Sequence, residues 1–257
     1  EALIRGSAFA GALIFFLLLE WGRPRVVSPN SVSRRLTNLA FSLLNTLVLR
    51  VCLPLLAVQF AVLAANRNLG LFHWLELPLW VNCLLSFLAL DCLIYWQHRL
   101  FHCLPWLWRL HRVHHSDVCL DVTTAVRFHP VEALLSMGIK LFGIALLGAD
   151  PRSVLIFELA LSLGSIFSHA NVRLTTGADK WLRSLVVTPD MHRVHHSIQF
   201  DEMNRNFGFF LSIWDRLFGS YSQVSERRLL NSVIGLHKFR KASDQRFWNL
   251  LINPFER

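Results

Sequence analysis

From Ala8 to Ser168 the chain is dominated by apolar runs too long for the interior of a small soluble domain, and these constrain its architecture most. A helix rises about 1.5 Å per residue and needs roughly 20 apolar residues to cross a hydrocarbon core. Trp74–Trp96 meets that length, interrupted by Pro78 and by Asp91 near its end. Leu36–Ala65 is too long for one perpendicular crossing and contains Arg50 and Pro54, so it makes either one kinked, tilted pass or a hairpin. Val131–Gly148 and Ser153–Ser168 read as a helical hairpin turning at Gly148-Ala149-Asp150-Pro151. Ala8–Trp21 is short for a crossing, and with no small-residue cleavage pattern behind it, it is read as a span.

Composition agrees with a membrane protein. Hydrophobic residues make up 53% and charged residues 17%, against roughly 45–50% and about 25% in soluble domains. A formal charge of +9 on so apolar a chain argues against disorder and against a soluble nucleic-acid binder. The cations are unevenly placed. Arg23, Arg25, Arg34, Arg35, Arg109, Arg112, Arg127 and most of those after Arg173 fall on one side of the spans, and the opposite loops carry only Arg67 and Arg152. The positive-inside rule makes the basic side cytoplasmic. Lys140 and Glu158 lie at similar depth in the hairpin, where they either pair or snorkel to the interface. The five cysteines form no CxxC pair and read as free thiols.

Eight of the twelve histidines fall in three clusters on the basic side: His98 and His102 in HRLFH, His111, His114 and His115 in HRVHH, and His192, His195 and His196 in a second HRVHH. At this histidine content, one HxxHH is expected by chance on the order of a few per cent of the time, so two beside an HxxxH are no accident. Positions i, i+3 and i+4 share one helix face and can aim imidazoles at one ion. Eight imidazoles exceed the need of one tetrahedral ion and favour two. His169 ends the second hairpin helix at the same level and is a further candidate ligand, while His129, before Pro130, is a ligand, a helix-entry residue or a lid contact. His73 and His237 read as structural or solvated. Asp91, seven residues before His98, and Asp117 and Asp190, each two residues from a cluster, are candidates to take a ligand histidine's second N–H. For the latter two, helix capping is the alternative.

The runs DCLIYWQHRLFHCLPWLWRLHRVHHSD, RFHPVE, TPDMHRVHHS and NRNFGFFLSIWDRLFGSY resemble the sterol desaturase / fatty acid hydroxylase superfamily of integral membrane di-iron oxygenases. The resemblance covers residues 91–221. It implies an all-α bundle of about four to five spans with a cytosolic helical cap holding a histidine-rich dinuclear site. It maps the iron ligands onto His98, His102, His111, His114, His115, His192, His195 and His196, with His169 as an addition. It also implies two iron ions, O2 as co-substrate, and hydroxylation or desaturation of an unactivated C–H bond in a lipid. No dinucleotide fingerprint, haem motif or iron–sulfur cysteine set is present, so electrons would come from a separate cytochrome b5- or ferredoxin-like carrier.

The chain reads as one domain over 1–257, with N-terminal spans over 1–97, the histidine-box region over 91–221 and a basic tail over 222–257. That tail could dock an acidic carrier or anionic headgroups, but reads first as solvated. Asn206, Gly208, Trp214 and Asp215 read as structural. A lipid chain could approach the metals past Trp96, Trp106 and Trp108, which read first as an interfacial belt. A membrane-embedded zinc hydrolase is the alternative chemistry, weakened by the lack of an HExxH glutamate, and a metal transporter is disfavoured by the few, mixed charges in the spans.

Overall fold

The computed structural model describes residues 2–27 and 32–256, and they form helices with no sheet among them. In chain order the first ten are α1 (Ala2–Gly22), α2 (Val32–Cys52), α3 (Ala57–Asn66), α4 (Leu71–Trp74), α5 (Leu79–Cys103), α6 (Pro105–His115), α7 (Pro130–Leu147), α8 (Pro151–His169), α9 (Thr176–Leu182) and α10 (Pro189–His195). Five segments are long and apolar enough to cross a membrane: α1, α2 to α4 taken together, α5, α7 and α8.

The long second run is a single broken pass. Proline lacks an N–H and its ring clashes with the preceding turn, so α2 stops at Cys52 and α3 starts at Ala57 around Pro54. Asn45 of α2 donates to the Phe128 carbonyl beside the start of α7 (2.9 Å), whereas the chain just after α3 meets the other end of α7. There Gly70 (φ +102°) crosses Gly148 (φ +68°) so closely that a Cβ on Gly70 would lie 2.0 Å from the Gly148 nitrogen. Only glycine permits that approach at positive φ. Gly148 also ends α7, and Asp150 then caps α8 by accepting from the Arg152 N–H (2.8 Å).

The bundle core is Leu90 and Ile94 of α5, Met137 and Ile144 of α7, and Val154 and Phe157 of α8, closed by Ala57 and Ala61 of α3. Small alanines let α3 lie close against the hairpin. Lys140 and Glu158 pair, and Arg5 of α1 joins the same carboxylate at 2.6 Å. A charge this deep in a span is costly unless paired, and pairing ties α1, α7 and α8 together.

At one end, α6, α10 and the connecting loops form a cap over the bundle. Its glue is polar and buried. Asp117 accepts from Arg34 (2.8 Å) and Asn38 (2.9 Å) of α2, while Arg127, wholly buried, donates to the Val113 carbonyl (2.9 Å), Ser116 Oγ (2.8 Å) and Gln245 (2.9 Å). The basic side chains of the tail, Arg227, Arg228, Lys238, Arg240, Lys241 and Arg246, are exposed, while its apolar end packs on the cap. Gln245 also donates to the Ser116 carbonyl (2.9 Å), and Phe247, Leu250 and Leu251 pack on Phe41 and Val113, because this segment carries apolar residues that cover α2 and α6.

Candidate metal centre

Each histidine cluster sits where its helix brings one face to the bundle end. His98 and His102 occupy the last turns of α5, one turn apart. Leu104-Pro105 then breaks the chain and starts α6, which delivers His111, His114 and His115. α8 ends at His169, and α10, capped by Thr188, presents His192, His195 and, just past its end, His196. The nine rings gather into two groups whose candidate ligand atoms lie within 4.8 Å of one another: His98, His102, His111, His115 and His195; and His114, His169, His192 and His196. The groups abut, with His115 stacked on His196 at a centroid distance of 4.5 Å.

The nitrogens are arranged for cations. His98 Nδ1 faces the Phe207 carbonyl (2.8 Å), which can only accept, so Nδ1 carries the proton and Nε2 a lone pair. His195 Nδ1 faces the Arg205 carbonyl (2.8 Å) and His169 Nδ1 the Ser165 carbonyl (2.7 Å), with the same result. His111 Nδ1 is 2.6 Å from Glu132 Oε1. With His111 donating to that carboxylate, its Nε2 lone pair points at the Nε2 lone pair of His98, 3.1 Å away. Two facing lone pairs repel unless a cation lies between them. The separations His169–His114 (3.2 Å), His192–His169 (3.0 Å) and His196–His192 (3.2 Å), all Nε2 to Nε2, repeat the pattern. Metal–nitrogen bonds of about 2.0–2.1 Å set neighbouring ligand nitrogens about 3 Å apart. Both nitrogens of His102 and one each of His114, His115, His192, His195 and His196 are buried without a partner. Burial pushes His111 down to about 3. Burial, reinforced by neighbouring imidazoles, holds His114, His115, His192, His195 and His196 well below the ordinary range. All stay neutral, the form that ligates. The donor set fits two metal ions.

The carboxylates singled out in the sequence are engaged elsewhere. Asp91 accepts from the Leu211 N–H (3.1 Å) and the Trp214 indole (2.8 Å), Asp117 belongs to the Arg34 network, and Asp190 accepts from Arg25 (2.9 Å). The carboxylate that does meet a box histidine is Glu132, in the first turn of α7. His129 caps α7, accepting from the Val131 N–H (3.2 Å) and donating to the Leu251 carbonyl (3.2 Å), and belongs to neither group.

Asn206, Gly208, Trp214 and Asp215 form a brace behind His98 and His195. Buried Asp215 accepts from the Phe207 (2.7 Å) and Gly208 (2.9 Å) N–H groups and from Ser220 Oγ (2.7 Å). A Cβ on Gly208 would lie 2.8 Å from the Asp215 carboxylate, so glycine is required. Asn206, at φ +55°, donates to the Met191 and Ser222 carbonyls (3.0 and 2.9 Å). The Phe207 carbonyl that orients His98 is thus held from both sides.

A cavity of about 310 Å³ lies against the five-histidine group, touching His98 and His111 and walled by α2, α5, α7 and α8. A second, of about 620 Å³, continues it between α1, α2 and α8. None of Trp96, Trp106 and Trp108 lines either one: Trp96 and Trp106 are exposed, and Trp108 backs His102 (5.0 Å) and His115 (5.4 Å). The three tryptophans thus stand apart from both cavities.

The profile of the fatty acid hydroxylase family matches residues 83–220, more than half the chain. The chain belongs to the fatty acid hydroxylase family. The match spans α5, α6, both hairpin helices, α10 and the Asp215 brace, and with its apolar spans this family member is a multi-pass membrane protein. It is similar to the ornithine lipid hydroxylase OlsE of Rhizobium tropici, 33% identical over 144 residues, 56% of this chain and 43% of that one. It is 35% identical to an alkylglycerol monooxygenase of Danio rerio over 160 residues, 61% of this chain and 34% of that one. The very-long-chain aldehyde decarbonylase GL1-11 of Oryza sativa subsp. indica is 26% identical over 202 residues, 75% of each chain. The chain spans less than half the length of the first two relatives. No solved structure matches it.

Proposed function

We propose that this chain is a membrane di-iron oxygenase that hydroxylates an unactivated C–H bond of a lipid. The reading is carried by one observation: nine imidazoles converge on two adjacent ligand sets, and one set faces a cavity that continues into the span region. His98, His102, His111, His115 and His195 would hold one iron, and His114, His169, His192 and His196 the other. When bound, the two irons supply reductive activation of O2. All-imidazole donor sets also accept zinc, but the names of the relatives, a hydroxylase and a monooxygenase, favour oxygen chemistry.

The remaining work is done by the protein. The Phe207, Arg205 and Ser165 carbonyls and Glu132 fix the tautomers of His98, His195, His169 and His111, so the lone pairs point inward. Phe101, Phe128 and Phe209 exclude water around the His98–His111 face of the cavity. The two electrons per turnover come from a separate carrier that meets the cap, which lies on the cytoplasmic, cation-rich face. The names of the relatives, an ornithine lipid hydroxylase and an alkylglycerol monooxygenase, support a lipid substrate.

The test is elemental analysis of protein purified from iron-supplied cells, followed by product detection from a lipid extract with O2 and a reductant. About two irons per chain and O2-dependent hydroxylated lipid are expected, both lost in His195→Ala. Two zincs that iron cannot replace, with lipid cleaved in the absence of O2, would overturn the reading.

A further inference from the structure

The second cavity, of about 620 Å³, has charged residues in its wall: Arg5, Arg50 and Glu158, with Gln59 beside them. Glu158 is engaged by Lys140 and by Arg5 (2.6 Å). Arg50 differs, because it makes no hydrogen bond or ion pair among the described residues. It follows Arg34, held in the cap by Asp117 (2.8 Å), by sixteen residues of α2, so it lies about 24 Å along the helix and inside a candidate span. An arginine within a span is costly, and those that occur there face a cavity or a counter-charge and mark ligand pathways. Helix register locates this one. Leu43, Leu47 and Val51 form an exposed outer stripe of α2, whereas Ser42, Thr46, Leu49 and Leu53 line the cavity. Arg50 adjoins both stripes and itself lines the cavity, which places it at the rim. Gln59 of α3, also exposed, accepts the Leu56 N–H through Oε1 (3.2 Å) and keeps its N–H donors for a ligand.

We propose that Arg50 and Gln59 form a binding site for the anionic group of a lipid, a carboxylate or a phosphate, and that the hydrocarbon of that lipid runs from the second cavity into the first. The two cavities share Leu49, Met137 and Ser162. Arg50 and Gln59 belong to the second alone, while the first adds Ile94, Phe101, Leu161 and Phe209 on the way to His98 and His111. The joined space therefore has an unpaired cation at one end and apolar walls leading to imidazoles at the other. A guanidinium presents its donors as a fork that matches carboxylate and phosphate oxygens, and such charge-assisted bonds are stronger than neutral ones. A neutral lipid would leave Arg50 charged and without a partner in the span. The proposal deepens the oxygenase reading and rests on it in one respect: a molecule held by its anion at Arg50 presents to His98 and His111 a carbon remote from that anion.

The experiment measures binding of three radiolabelled probes with the same hydrocarbon chain, hexadecanoate, hexadecyl phosphate and hexadecanol, to the full chain in a non-ionic detergent, in buffer alkaline enough to ionise the carboxylate. At least one anionic probe is expected to bind about tenfold tighter than hexadecanol, the effect of one charge-assisted hydrogen bond, and the tighter of the two identifies the anion. In Arg50→Gln that advantage should vanish, with hexadecanol affinity and metal content unchanged, and Arg50→Lys should restore part of it. Comparison of variants in one detergent cancels partition into the micelle. Arg67→Gln, which removes an exposed cation past the end of α3 and in neither cavity wall, should keep the full preference. Anionic probes that bind no better than hexadecanol, or a preference that survives in Arg50→Gln, would overturn the proposal. Displacement of hexadecyl phosphate by an equal concentration of inorganic phosphate would overturn the lipid assignment, since an anion without a chain would then suffice. An Arg50-dependent preference without O2-dependent turnover of any lipid would leave this site standing and sink the oxygenase reading instead.

Discussion

The two histidine groups share a wall but not an environment. In the five-membered group, His98 and His111 line the cavity, and His98, His111 and His195 have their Nδ1 atoms held by the Phe207 carbonyl, Glu132 and the Arg205 carbonyl. In the four-membered group no ring touches the cavity, and only His169 is held, by Ser165, while Nδ1 of His114, His192 and His196 has no partner. One group faces the cavity with its rings braced, and the other is buried within the cap, fixed by packing.

The largest test of this asymmetry removes one ligand from each side. His195→Ala and His192→Ala should each lose at least about one metal per chain and essentially all turnover, read by elemental analysis and product formation, while both still insert into membranes. Retained turnover in both would break the site assignment. Next, Glu132→Ala should weaken metal binding about 10- to 100-fold, and in the five-histidine group alone, so chelator titration should turn from one phase into two. A single unchanged phase would mean that the brace is idle. Asp215→Ala strips an acceptor from two buried N–H groups and a hydroxyl and should cost about 3 kcal/mol, measured by unfolding in detergent, with activity lowered through the displaced Phe207 carbonyl. His129→Ala should cost about 1 kcal/mol as a lost cap and leave metal content intact. His237→Ala should change neither, and a dead variant would mean that the tail reaches the centre.

The eight box histidines were legible because ligand spacing is dictated by helix geometry, and that geometry needs no tertiary information. His169 was visible only from its place at a span end. Asp91 shows the limit of the same reasoning: seven residues put it on the face of His98, but two helical turns also put it about 10 Å away along the axis, where it clamps Trp214 instead. Asp117 and Asp190 sit near their clusters in sequence but lie where the helix turns them toward Arg34 and Arg25. Glu132 stood in the quoted RFHPVE but was not singled out there, although a lone acid at the start of an apolar helix is a signal that could have marked it. The choice of one pass over a hairpin at Pro54 depended on contacts with α7 and α8 that no local pattern carries. Neither cavity could be read, since each wall comes from a different helix.

The folding of residues 245–255 back onto Ser116, Val113 and Phe41 has a consequence for the order in which the protein is made. The third histidine cluster contributes to both groups, and it, like this closing segment, emerges from the ribosome after every candidate span. Neither imidazole group is therefore complete until the last candidate span has been made, so a chain stopped at that point would hold the membrane bundle without the full cluster.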